Sequence, residues 1–282
     1  MKKIASEIYV SIEYPGVNVG FIVVPAGVIA VDVPTLPQDA RAWRQRVVEA
    51  TGGPILYTVV TDAHPDRLLS AGLLGAPVVA ARGVYDYASA YTDGFWRSLI
   101  DRWGRRHPDA ADGLAEAKAS LPEIMFTSRV TLHKGGRDIT VEQVDGSTPG
   151  SAWIHLPEQD VLFTGDTLVV DTHPFLDATP DTKAWLDTLT SLRRPRFSNT
   201  TIVPGRGPLC EQADTRPLSK YIALARRRAR SLHRSSDEAR ADMTGVVTEM
   251  LPLFPVPEGE RELIQRRIKA GLDRVCEELG ES

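Results

Sequence analysis

The apolar run at residues 55–60 ends directly in Thr61-Asp62-Ala63-His64-Pro65-Asp66-Arg67. The run reads as a strand and the segment after it as the loop that the strand delivers. Asp62, His64, Asp66 and Arg67 are then set together at one edge of a sheet, where a rigid scaffold can aim them. Such a cluster suits a site; the simpler reading is a solvated turn with a capping Asp. The flanking elements say what kind of sheet it is. Residues 4–13 alternate apolar and polar, then Pro15-Gly16 and Pro25-Ala26-Gly27 turn the chain into runs at 19–24 and 28–33, three strands in a meander. Residues 37–51 carry a helical spacing that stops at Gly52-Gly53, 68–73 begin another helix, and 78–81 are a short apolar strand. Strands alternating with helices point to a layered α/β fold.

Residues 83–120 differ in character, with Tyr85, Tyr87, Tyr91, Phe95, Trp96 and Trp103 set among helix formers. They read as a helical lid over the site. Its aromatic residues either line a pocket for an apolar ligand or pack on the body of the domain. His107, before Pro108, reads as a surface residue at a helix end. Strands return at 126–132, 138–144, 152–156 and 161–163, with a turn at 134–136 and loops at 145–151 and 164–167. A helix at 181–192, built on Trp185, Leu186 and Leu189, leads to a last strand at 201–203. Beyond Cys210 the pattern is helical, at 216–234, 237–251 and 258–278, broken by Pro252, Pro255 and Pro257.

Four runs carry a family resemblance. The loop at 61–67 resembles the Thr-His-x-His-x-Asp-His signature of the metallo-β-lactamase superfamily; Thr61, His64 and Asp66 are kept, while Asp62 and Arg67 stand at the first and last His. The loop at 145–151 resembles Gly-His-Thr-Pro-Gly-Ser with Ser147 at the His. Residues 163–166 resemble Phe-Thr-Gly-Asp and keep Asp166. Residues 203–208 resemble Val-Pro-Gly-His-Gly-Pro with Arg206 at the His. The runs fall in the order and spacing of the superfamily over residues 4–210. The resemblance implies a four-layer αββα sandwich over 1–210, with a helical lid insertion at 83–125 and a C-terminal helical extension at 211–282. Asp32 closes its strand where the superfamily also carries an Asp; from the residues alone it is a strand-end side chain that accepts backbone amides.

The resemblance also implies a ligand set. The places of Asp62, His64 and Ser147 hold one zinc ion, those of Asp66, Arg67 and Arg206 hold a second, and Asp166 bridges them. Of that set only His64, Asp66 and Asp166 are kept. A serine hydroxyl is a poor zinc ligand, and a guanidinium stays protonated and repels a dication. No metal or other cofactor is therefore expected. The residual candidates for a single weakly held zinc or manganese ion are Asp62, His64, Asp66 and Asp166. Arg67 and Arg206 read as an internal substitute for the cation, bonded to Asp66 and Asp166, or else as arginines pointing outward to solvent.

Three functions follow. The first is a ligand-binding pseudoenzyme whose pocket residues Arg67, Arg206 and Asp166 take an anionic small molecule. The second is a hydrolase of an ester, thioester, lactam or lactone that uses one residual ion. The third is a metal-free hydrolase with Ser147 as nucleophile, His64 as base, Asp62 behind it, and arginines at the oxyanion.

A net charge of −4 and a pI near 5.9 give no electrostatic case for nucleic acid, and Arg226-Arg227-Arg228 with Arg230 reads as a solvated helix face. Cys210 and Cys276 lie far apart, which suggests neither a disulfide framework nor a thiolate zinc site. The N-terminus lacks the apolar core of a secretory signal, and the longest apolar stretch, 17–33, is broken by Gly20, Pro25 and Gly27, short of the roughly 20 residues of a membrane helix. A cytoplasmic protein without a membrane partner is expected, with a homodimer contact through the C-terminal helices as a further expectation.

Overall fold

The computed structural model describes residues 1–134, 136–233 and 243–280. Its strands form two sheets. In the first, β1 (Lys2–Ala5), β2 (Ile8–Ser11), β3 (Val19–Val24), β4 (Gly27–Val31), β5 (Ile55–Val59), β6 (Val78–Ala81) and β7 (Ile124–Phe126) lie in chain order. Strands β1 to β4 pair antiparallel and β4 to β7 parallel. The second sheet holds β8 (Arg129–Lys134), β9 (Arg137–Gln143), β10 (Ala152–Leu156), β11 (Val161–Val169) and β12 (Thr201–Arg206), in the order β12-β11-β10-β9-β8. Here only β11 and β12 are parallel.

The two-residue period of a strand sorts the apolar residues into layers. Ile29 and Val31 of β4, Val79 of β6, and Ile154, Phe163 and Val203 of the second sheet meet between the sheets. Their neighbours Val28, Ala30, Val78 and Ala80 face the other way, onto Trp43 and Val47 of the helix Pro37–Thr51. On the far side, Trp153, Leu162 and Ile202 face Trp185, Leu218, Ile222, Ile268 and Leu272 from the helices that follow. Helix, sheet, sheet and helix therefore stack as an αββα sandwich.

The helix Pro37–Thr51 begins with Pro in its first turn and ends at Gly52, whose φ of 67° supplies the left-handed cap. Within residues 83–125, Thr92 caps the helix Asp93–Arg106 by accepting from Phe95 N, and Leu99 and Trp103 pack with Leu36, Leu69 and Leu114. Tyr91 stacks on Phe95 at 4.0 Å, and Tyr87, Tyr91 and Trp96 rest against the first-sheet core. His107 caps that helix with its ring stacked on Trp103 at 5.3 Å.

Several element boundaries differ from the sequence expectation. Residues 4–13 form two strands, because Glu7 at φ 61° turns the chain into a hairpin. The run expected as one strand at 126–132 divides between sheets: β7 pairs with β6, and β8 pairs with β9. Only Thr127 and Ser128 separate the two strands, and no Gly or Pro marks the crossing, so the pattern hides it. Residues 164–167 are not a loop; β11 continues to Val169 with register shifts around Gly165. Residues 68–73 are not one helix but the end of a turn, Pro65–Leu68, followed by a 3-10 turn, Ala71–Leu74. At the C-terminal end the helices are Thr215–His233, Thr244–Met250 and Arg261–Gly280. Gly135 of the expected turn, and residues 234–242 of the expected helices, lie outside the described residues.

Arg226 is buried and ion-pairs with Glu278, and Arg228 pairs with Glu249. No helix among the described residues is long and apolar enough to cross a membrane.

Candidate functional site

Three of the four signature runs lie on the parallel strands β5, β11 and β12, near the edge at which open α/β sheets present ligand sites. Strand β4 delivers Asp32, β5 delivers Thr61 to Arg67, β11 carries Asp166, and β12 ends in Arg206. The segment after β9 joins them through Thr148, whose Oγ1 accepts from Ala63 N at 2.8 Å, with Ser147 buried beside it in the chain. Two glycines let the strands close up. A Cβ on Gly205 would lie 2.1 Å from Asp166 Oδ1, and one on Gly165, at φ 53°, would lie 2.3 Å from Thr61 Oγ1.

Arg67 is the centre of the cluster and is 0% exposed. Its Nε donates to Asp62 Oδ2 at 2.8 Å, its Nη2 donates to Asp166 Oδ1, and its Nη1 lies 3.5 Å from Asp32 Oδ2. Asp62 Oδ2 also accepts from Asp166 N at 3.0 Å. Asp32, with φ 55°, accepts from Thr61 N at 3.0 Å and Thr61 Oγ1 at 2.7 Å. Thus Asp32 bonds backbone as the sequence suggests, and in addition faces a buried guanidinium. Burial pushes its carboxyl up to about 6 despite Arg67. Burial would raise Asp62 as well, but Arg67 and then His64 hold it well below the usual carboxylate range. The Arg67 guanidinium, opposed by burial, is raised by Asp166, Asp32 and Asp62.

His64 is buried with its Nδ1 donating to Asp62 Oδ1 at 2.9 Å and standing 3.3 Å from Asp166 Oδ2. Burial works against its charge, yet Asp62 and Asp166 raise its pKa above the ordinary 6.5. Its Nε2 has no hydrogen-bond partner among the described residues, and neither has the buried Ser147 Oγ. The Asp–His half of the expected triad is in place; the Ser–His hydrogen bond is not.

Toward the surface, Arg206 donates from Nε to Asp166 Oδ2 at 2.8 Å and from Nη2 to Asp66 Oδ2 at 3.4 Å. Asp66 Oδ1 accepts from the Trp103 indole at 2.9 Å. Burial opposes its charge, but Arg206 and the indole donor lower the Asp66 carboxyl. Both arginines thus point inward, as the substitute-cation reading requires, and the outward reading is set aside. Arg206 also lies over the Phe175 ring at 4.7 Å, and Arg267 lies over the same ring at 3.8 Å.

The sequence reading missed Trp103 as a hydrogen-bond donor, Phe175 and Arg267. Phe175 lies in a loop without a motif. Arg267 did carry a signal: it falls between Ile264 and Ile268, which form the buried stripe of their helix with Leu272, and so sits on the packed face.

The ligand-type groups that come together are Asp62, His64 and Asp166, whose ligand atoms all lie within 4.8 Å of one another. Asp66 stands outside that group. The family model for the metallo-beta-lactamase superfamily matches residues 15–206. The chain belongs to this superfamily. Among solved structures, a metallo-beta-lactamase family protein from Thermus thermophilus is 19% identical with TM-score 0.68, over 99% of this chain and 95% of that one. A beta-lactamase domain protein from Burkholderia ambifaria is 14% identical with TM-score 0.69, over 99% and 89%. A stereoselective inverting sec-alkylsulfatase from Pseudomonas sp. is 15% identical with TM-score 0.69, over 96% of this chain and 49% of that enzyme. At these identities the likeness to solved structures shows the metallo-beta-lactamase fold alone. A comparison with curated proteins finds no match.

Proposed function

We propose that this superfamily member balances its buried carboxylates with arginine in place of a metal pair, and that it binds a small anionic molecule without zinc chemistry. The observation that supports this most strongly is Arg67, wholly buried and bonded to both Asp62 and Asp166. The inner oxygens of both carboxylates are engaged by its fork, with Arg206 on the outer oxygen of Asp166. Asp32, Asp62, Asp66 and Asp166 face Arg67, Arg206 and a His64 biased toward its cation. Such a set is close to balanced before any ion enters. A dication placed about 4 Å from either guanidinium would meet about 4 kcal/mol of repulsion for each unit of its charge, at an effective dielectric near 20. The side chains present do not fit a tightly held zinc pair.

One observation favours a second reading, hydrolysis of an ester, thioester, lactam or lactone with a single residual ion: the close approach of Asp62, His64 and Asp166. A metal-free Ser147 hydrolase has less support, because the Ser147 hydroxyl and the His64 imidazole share no hydrogen bond. Turnover of a chromogenic ester, measured with chelator and after adding zinc or manganese, separates the readings. The binding reading expects no turnover that depends on metal; activity lost to chelator and restored by metal would select the hydrolase.

A further inference from the structure

Among the described residues, Arg267 stands beside this site without an ion-pair partner. Its Nη1 donates to the His173 carbonyl at 3.1 Å, while its buried Nε has no acceptor among the described residues. The carboxylates that act on it across space are Asp66, Asp166 and Glu260. Each already bonds another arginine: Asp66 bonds Arg206, Asp166 bonds Arg67 and Arg206, and Glu260 bonds Arg106. Arg206 stands on the same Phe175 ring, and its Nη1 makes no hydrogen bond among the described residues. Two guanidiniums with unused donors therefore share one aromatic ring beside the carboxylate cluster. Burial and then the nearby Arg206 lower Arg267 to about 10, the direction expected of a cation awaiting an anion.

We infer that Arg206 and Arg267, flanking Phe175, bind the oxyanion head of an organic ligand, a carboxylate, sulfate or phosphate. Planar guanidiniums suit such heads because their forked donors match the paired oxygens. From the helix Asp93–Arg106, the Trp103 indole donates to Asp66 at 2.9 Å, the carboxylate that Arg206 also bonds. An aromatic side chain thus borders the cluster and suits an apolar body behind the head. This rests on the ligand-binding reading above and moves its anion site: Arg67 is spent on Asp62 and Asp166, so Arg267, from the C-terminal helix, takes its place.

The test uses the native full chain, with the Nε–H resonance of Arg267 followed by NMR as hexanoate, hexyl sulfate or inorganic sulfate is added, and affinities measured by calorimetry. Saturable binding that shifts Arg267 is expected, with hexyl sulfate tighter than inorganic sulfate. Loss of a charge-assisted hydrogen bond in R267Q should weaken hexyl sulfate about tenfold or more, while R266Q, on an exposed side chain, binds as native. An Arg267 resonance that does not move at saturation, or native affinity in R267Q, would overturn the proposal. Equal affinity for the two sulfates would overturn the apolar body behind the head. A parallel zinc titration keeps the readings apart, since zinc uptake counts against the metal-free account and leaves the Arg267 shift readable.

Discussion

The guanidinium of Arg67 bonds Asp62 through Nε at 2.8 Å, and through its far edge reaches Asp166 in the opposite sheet. One buried side chain thereby ties the end of β5 to the middle of β11. Removing one partner of a buried ion pair strands the others without solvent. R67A should therefore lose about 3–5 kcal/mol of stability, measured by chemical denaturation. R67K keeps the charge but not the fork, and should recover only part of the loss.

Gly205 lies where β12 passes Asp166. A methyl group there would lie 2.1 Å from Asp166 Oδ1 and 2.5 Å from Asp166 N, both parts of the cluster. Backbone would have to shift, so G205A should destabilise by about 1–3 kcal/mol or more. The readout is the unfolding midpoint, and a native midpoint would mean that the strands are not packed this closely.

Stability should fall as pH rises from about 4 into the neutral range. The folded Asp32 carboxyl, at about 6, lies above its ordinary 3.8, so its contribution is full below 3.8 and lost by about 6. His64 is also raised, above 6.5, so its contribution is full below 6.5 and lost as pH rises through its folded value. Asp62 is shifted down and acts oppositely, only at pH below 3.8. H64Q should flatten the part of the profile above pH 6.5. Direct NMR titration of the His64 ring should give a pKa above 6.5; a lower value would contradict the placement of Asp62 and Asp166 against it.

If the arginines stand in for a cation, restoring the superfamily's ligands should restore the ion. The variant D62H/R67H/S147H/R206H should bind zinc far more tightly than the native chain, read by calorimetry on folded protein. R67H alone should not, because Arg206 still faces Asp66 and Asp166.

Much of this was legible in the residues. The runs around Asp62, Ser147, Asp166 and Arg206 named the strand ends that meet, and strands alternating with helices named the layered α/β class. What the residues concealed was direction. Nothing local says that the chain leaves one sheet after Phe126 and enters the other at Arg129, because the break between them is only Thr127 and Ser128, with no Gly or Pro to mark a turn. Nor does adjacency say where a long side chain points: Arg67 and Arg206 turn inward only because the carboxylates that receive them arrive from distant strands. Arg267 was hidden for a related reason. Its helix is rich in charge, and only its place in the stripe of Ile264, Ile268 and Leu272 separates it from solvated neighbours such as Arg266.

The most direct measurement is metal content by elemental analysis of protein purified without chelator, before and after dialysis against zinc. Guanidiniums seated among Asp32, Asp62, Asp66 and Asp166 predict far less than one ion per chain in both samples. A chain that retains a full equivalent or more of zinc would contradict the account.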